Sequence, residues 1–236
     1  QFPRMKGAPA MRCMLVLLLT ASSIGSAQLS AASQCPDNHP VVTVRIHDYV
    51  HLKSESLSNA TEIVTQTYKR VGVGIEWLGV MHPDAGRTAH APAAEGSPVP
   101  IAQLTINILT PAMAKRGHVA DGVLGFVAVP PEGGMGRIGY VVYERVREVA
   151  AGGRATEGDI LGVVIAHDIG RLILGAGSGT HAGLMNRQWE RRDLERVIPL
   201  ALEFTPPEID RIRTTLERDS SSSPAECLSS LNDVER

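Results

Sequence analysis

His167, Asp168 and Arg171 stand within one helical turn of one another, and His181 follows ten residues later, ahead of Gly183 and Met185. Side chains four apart on a helix share a face. Imidazoles at 167 and 171 would therefore aim at one metal ion, with a carboxylate at 168 reaching a metal-bound water. Position 171 is instead arginine. A guanidinium has no lone pair to donate and stays protonated at any ordinary pH, so it is no ligand and brings positive charge to where a dication would sit. At ~4 Å and an effective dielectric of about 20, that repulsion is roughly 8 kcal/mol. A structural zinc site gains about 10–16 kcal/mol in all. Aspartate at 168 is the milder change: it keeps a carboxylate, but one methylene shorter, and holds a water poorly for general-base work. A second account needs no metal. Asp168 and Arg171, three apart, form a weak ion pair that fills the space, His167 is a hydrogen-bonded helix residue, and His181 is a loop histidine. The other histidines, His39, His47, His51, His82, His90 and His118, show no ligand spacing. There is no Gly-rich phosphate loop, and Ser178 lacks the strand-to-helix setting of a nucleophile elbow.

The stretch His167-Asp168-Ile169-Gly170-Arg171-Leu172-Ile173-Leu174-Gly175 resembles the HExxH helix of the metzincin-like zinc peptidases. It is more closely similar to a group of secreted bacterial metalloproteins that carry HEIGHLLLG, a third histidine shortly after, and a Gly-Ile-Met turn. The resemblance extends over residues 41–216. It takes in Val42 to Asp48, Ile75-Glu76-Trp77, Gly139 to Glu144, the Gly183-Leu184-Met185 turn, Trp189 and Phe204-Thr205-Pro206. It implies zinc as cofactor, His167 and His181 as metal ligands, Asp168 at the general-base position and Arg171 at a ligand position. It also implies that Met185 forms an apolar floor beneath the metal. The match departs at the ligands. Arg171 replaces the second histidine, Gly177 holds the third-ligand spacing of the metzincins, Gly179 holds that of the closer group, and His181 lies two residues beyond. At most two of three histidines remain. The resemblance thus implies a degenerate homologue, with zinc lost or weakly held and no peptidase activity. Two alternatives stand beside it: a zinc-dependent metallopeptidase that uses His167, His181 and a further ligand, or a secreted structural protein with no ligand.

These residues need elements to position them. Val41, Val42, Val44 and Ile46 predict a first strand, and Leu57 to Val71 repeat at helical spacing up to Gly72. Residues 73–78 predict a second strand, 79–100 a long surface loop, 103–109 a third strand ended by Pro111, and 112–116 a short helical turn. Residues 123–129 and 138–143 read as two further strands, forming a hairpin or lining the edge of the sheet. The strongest helix runs over 157–174, with Thr156 as N-cap, Asp159 completing a capping box and Gly175 as the stop. An amphipathic helix follows at 186–198, and Thr205, Pro206 and Glu208 open a last helix reaching about Glu217. The expected fold class is α/β (α+β). By resemblance it is a metzincin-like mixed, twisted sheet with a backing helix, an active-site helix and a small C-terminal helical part. An extended peptide is the expected partner, along a sheet edge near Gly139 and Glu144.

A net charge of -2 with interspersed signs gives no footprint for nucleic acid. Arg4, Lys6 and Arg12 precede the apolar run at 14–19, and small residues follow to Ala27, so residues 1–27 read as a cleaved signal peptide. That places the protein outside the cytoplasm, secreted or periplasmic, with no membrane association after cleavage. Residues 28–39 read as a linker, 40–218 as one domain, and 219–236 as a disordered tail. Cleavage removes Cys13 and leaves Cys35 and Cys227, either paired or as free thiols.

Overall fold

The β-branched run at the domain's start forms β1 (Val41–Asp48), an inner strand of a five-stranded sheet in the computed structural model. The structure describes residues 39–82, 101–180, 183–186, 189 and 202–221, all within one unit, Asp37–Arg236. The other elements among the described residues are α1 (Ser54–Arg70), β2 (Gly74–Met81), β3 (Ala102–Leu109), α2 (Pro111–Arg116), β4 (Gly125–Ala128), β5 (Ile138–Val142), α3 (Tyr143–Ala151), α4 (Glu157–Leu174) and α5 (Pro206–Ser221). The strand order is β2-β1-β3-β5-β4. All neighbours run parallel except β4, which lies antiparallel on β5 and closes one edge. This is a mixed α/β fold.

One face of the sheet is apolar. Val42, Val44 and Ile46 of β1, Leu104, Ile106 and Ile108 of β3 and Val141 of β5 are fully buried and share a core with α1 and α4. The two helices approach closely because α4 carries glycine at the crossing. A Cβ on Gly162 would stand 2.9 Å from the Ala60 carbonyl oxygen, and one on Gly158 would stand 2.8 Å from that of Ser56. Thr156 and Asp159 form the capping box at the start of α4, and Asn59 of α1 donates to Asp159 at 2.8 Å. Gly175 ends the helix at φ 75°, a left-handed backbone that a side chain would strain. Tyr68, fully buried near the end of α1, donates its hydroxyl to the Ala166 carbonyl at 2.9 Å, next to His167.

Four expectations need correction. The run expected as a strand from Gly139 to Glu144 stops at Val142, and Tyr143 opens helix α3, which buries Val146 and Val149 one turn apart. The β-branched and aromatic residues at the junction conceal that boundary. The same strand is no edge: β5 is paired on both sides, and β4 takes the edge on that side of the sheet, with β2 at the other. β2 runs on to Met81, through Gly79 and past the Leu78 at which the sequence reading ends it. Finally, α5 continues to Ser221, carrying Asp219 to within 3.6 Å of Arg137. The signal peptide, linker and most of the 79–100 loop lie outside the described residues, as do Cys35, Cys227 and all but Asn186 and Trp189 of the 186–198 helix.

Candidate functional site

Helix α4 is buried along nearly its whole length. Apart from Glu157 at its start, only His167, Arg171 and Leu174 are partly open. Their spacing of four and three residues makes one stripe, so the face that would hold a metal in the motif is the only one the core leaves accessible.

His167 is oriented from below by the turn at Gly183, Leu184 and Met185. Its Nδ1 lies 2.8 Å from the Leu184 carbonyl oxygen. A carbonyl only accepts, so Nδ1 carries the proton and the Nε2 lone pair is left over, the tautomer a metal ligand needs. Burial holds the imidazole below its ordinary pKa and the Arg171 charge adds to this, against the hydrogen bond to Leu184 and the charge of Glu208. The Trp189 ring packs edge-on to the imidazole, with centroids 4.6 Å apart. Met185 is fully buried beneath Gly170, where an added Cβ would meet its sulfur at 2.7 Å and the Phe204 ring at 3.0 Å. Gly170 is therefore the residue that lets the turn close under the helix.

Asp168 faces elsewhere. It lies one turn beyond Val164 and is fully buried against β4, so that a Cβ on Gly125 would fall on its Oδ2. Among the described residues neither carboxylate oxygen has a hydrogen-bond partner. The expected ion pair with Arg171 does not form, because Asp168 lies on the sheet side of α4 while Arg171 lies on the open stripe. Burial pushes the Asp168 pKa well above the usual carboxylate range, and Arg171 only partly opposes this. The same burial, reinforced by Asp168, raises Tyr68.

The turn is anchored to α5. Glu208, almost fully buried, accepts from the Thr205 amide at 2.7 Å, which caps the start of α5, and from the Thr180 hydroxyl at 2.8 Å. The Thr180 amide in turn donates to the Met185 carbonyl at 2.8 Å. Sequence reading found Glu208 only as a helix-start residue; the Thr205-x-x-Glu208 spacing shows the cap, and nothing in the sequence shows the reach to Thr180. Trp189 as a neighbour of His167 was likewise missed.

His181 lies outside the described residues. Among the described ones, no three His, Cys, Asp or Glu side chains are placed to hold a metal ion together. The described residues do not fit zinc. They supply one imidazole nitrogen, a guanidinium where the second imidazole would stand, and a carboxylate buried away from the open stripe.

No known protein family matches the chain by sequence profile, and no curated protein matches it by sequence. Among solved structures, archaemetzincin from Methanopyrus kandleri aligns at a TM-score of 0.47 and 12% identity, over 78% of this chain and 99% of its own. Metalloproteinase-II from Bacteroides fragilis aligns at a TM-score of 0.42 and 12% identity, over 75% of this chain and 53% of its own. At these scores the two likenesses describe the course of the backbone and carry nothing about chemistry.

Proposed function

We propose that the chain is an exported, zinc-metallopeptidase-like scaffold that no longer hydrolyses peptides and binds an extended peptide along the outer edge of β4. The observation that carries this reading is the open stripe of α4, which offers His167 Nε2 beside Arg171 and turns Asp168 into the sheet. Retention of peptide binding rests on the edge. The Leu124 carbonyl accepts from the Val142 amide, so by alternation the backbone groups of Gly125 and Val127 turn outward, ready to pair with an added strand. Among the described residues no helix is long and apolar enough to cross a membrane; export rests on the N-terminal segment alone, Arg4, Lys6 and Arg12 before the apolar run at 14–19. A second reading, a zinc-dependent metallopeptidase that uses His167, His181 and a further ligand, is favoured by the ligand-competent tautomer of His167.

Elemental analysis of the purified domain, equilibrated with micromolar zinc and then freed of loosely held metal, separates the two. A sample almost free of zinc, as expected when one ligand is missing, supports the first reading; one zinc per chain favours the second, which a peptidase assay of the zinc form then tests. The triple substitution Asp168→Glu, Arg171→His and Gly179→His should create zinc binding. A folded triple variant without zinc would overturn the scaffold assignment. An extended peptide library tests the edge: binding should be saturable and should be lost in Val127→Pro, which removes an outward amide.

A further inference from the structure

A cleft of about 910 Å³ lies between α2, the 118–124 segment and α3, with Trp189 as the wall toward His167. It includes no residue of α4, and Trp189 stands between it and His167. Its volume falls within the roughly 300–1,000 Å³ typical of small-molecule sites.

The cleft is a built feature. Arg145 clamps the 118–124 segment, donating from Nη1 to the Val123 carbonyl at 2.6 Å and from Nη2 to the Val119 carbonyl at 3.2 Å. The Val119 amide returns to the Ala114 carbonyl, and the Val142 amide bonds the Leu124 carbonyl, so loop, α2 and β5 hold one another. A site held this way loses little order on binding. Its floor is apolar, made by Ala114, Leu124, Val142 and Val149 beside the Trp189 wall. Its walls carry opposite charges: Lys115 on α2 and Glu148 on α3 both line the cleft, and among the described residues neither is paired with another side chain, whereas the neighbouring Glu144 is held by Arg147 at 2.9 Å. The indole Nε1 of Trp189 is buried without an acceptor. The apolar floor between Lys115 and Glu148, with the indole donor of Trp189 beside it, complements a ligand with an apolar centre and a charge of each sign.

We infer that this cleft binds a short peptide with free termini, its ammonium group at Glu148, its carboxylate at Lys115 and an apolar side chain on the floor beside Trp189. The inference extends the peptide-binding reading but uses a different surface from the β4 edge. The two can therefore fail separately.

The tripeptide Ala-Leu-Ala is the probe, titrated into the full chain carrying Trp77→Phe so that Trp189 supplies the fluorescence. The signal should change saturably. The same peptide acetylated and amidated at its ends should bind about tenfold or more weakly, and Lys115→Ala and Glu148→Ala should each weaken the free peptide about three- to tenfold, as expected for partly exposed charge contacts. Val127→Pro, which disables the edge, should leave tripeptide binding unchanged. With circular dichroism confirming the fold of each variant, three results would overturn the assignment: no saturable change, equal binding of the blocked peptide, or wild-type affinity in both charge variants. Loss of tripeptide binding in folded Val127→Pro would also overturn it, by moving the peptide to the edge.

Discussion

Replacing Asp168 with leucine should make the protein more stable, by an amount that grows with pH. The carboxyl is fully buried and neither oxygen is hydrogen-bonded. Even neutral, an unpartnered buried polar group costs about 1–3 kcal/mol. Ionisation adds to this, because burial raises the folded-state pKa well above the ordinary one. The folded protein thus holds this proton more tightly than the unfolded chain. The stability linked to it is fully present below the unfolded value of about 3.9 and is lost as pH rises toward the folded value. Across that window each pH unit costs up to about 1.4 kcal/mol. Leucine, similar in shape, removes both costs, whereas Asp168→Asn removes the pH-dependent cost and keeps the orphaned polar atoms. Urea denaturation of the three proteins from pH 4 to pH 7 measures this directly. The Leu variant should gain on the wild type steadily from pH 4 upward, and the Asn variant should run parallel to the Leu variant at lower stability. If wild-type and leucine stabilities stay parallel over the whole range, Asp168 is not the buried, unpartnered acid described here and the site geometry is wrong.

His167 should contribute the opposite slope. Its folded pKa is depressed by burial, so the unfolded chain takes up a proton first as pH falls through about 6.5, and stability drops there by up to about 1.4 kcal/mol per unit. Urea titrations should find that slope missing in His167→Gln. Gly162→Ala should destabilise by about 1–3 kcal/mol, because the new methyl meets the Ala60 carbonyl oxygen and the Ile63 Cβ at 2.9 Å; a thermal midpoint equal to that of the wild type would mean the helices are not so close. Glu208→Ala should cost about 1–2 kcal/mol and speed hydrogen exchange at the Thr205 amide, since that amide and the Thr180 hydroxyl both lose their acceptor.

Local chemistry made much of this fold legible. Thr156, Asp159 and Gly175 mark α4 because a cap and a left-handed stop act on their immediate neighbours, and both stand where the spacing puts them. Valine-rich β1 and alternating β3 are equally local. Where the sheet's order mattered, local reading went half way: the hairpin of β4 and β5 forms, but nothing in Gly139 to Val142 tells that β4 rather than β5 takes the edge, since that is decided by the pairing of β5 with β3, about thirty residues away in sequence. The start of α3 was hidden for a related reason, because Val141, Val142 and Tyr143 suit a strand until the burial of Val146 and Val149 selects a helix. At the site, the sequence supplied His167 and the obstacle at Arg171. It could not supply the Leu184 carbonyl, Glu208 or Trp189, which reach the site only through the folded turn.

The placement of these residues separates the fold of α4 from its chemistry. Three sides of the helix are spent on α1, the sheet and the Met185 turn, and Gly158, Gly162 and Gly170 each sit where any side chain would collide. The fourth side, His167, Arg171 and Leu174, is half open and supports little of the core. A change from imidazole to guanidinium at 171 therefore alters what the helix can bind while leaving its packing largely intact. Asp168 does not share that freedom, because its side chain belongs to the sheet face and any replacement there is felt as stability. It follows that Arg171→His tests chemistry alone, whereas Asp168→Glu tests chemistry and packing together, the longer acid having to find room beside Gly125 and Val164 or swing out toward the stripe. Zinc affinity that follows Arg171→His together with Gly179→His, and a stability penalty that follows Asp168→Glu, is the signature this arrangement predicts.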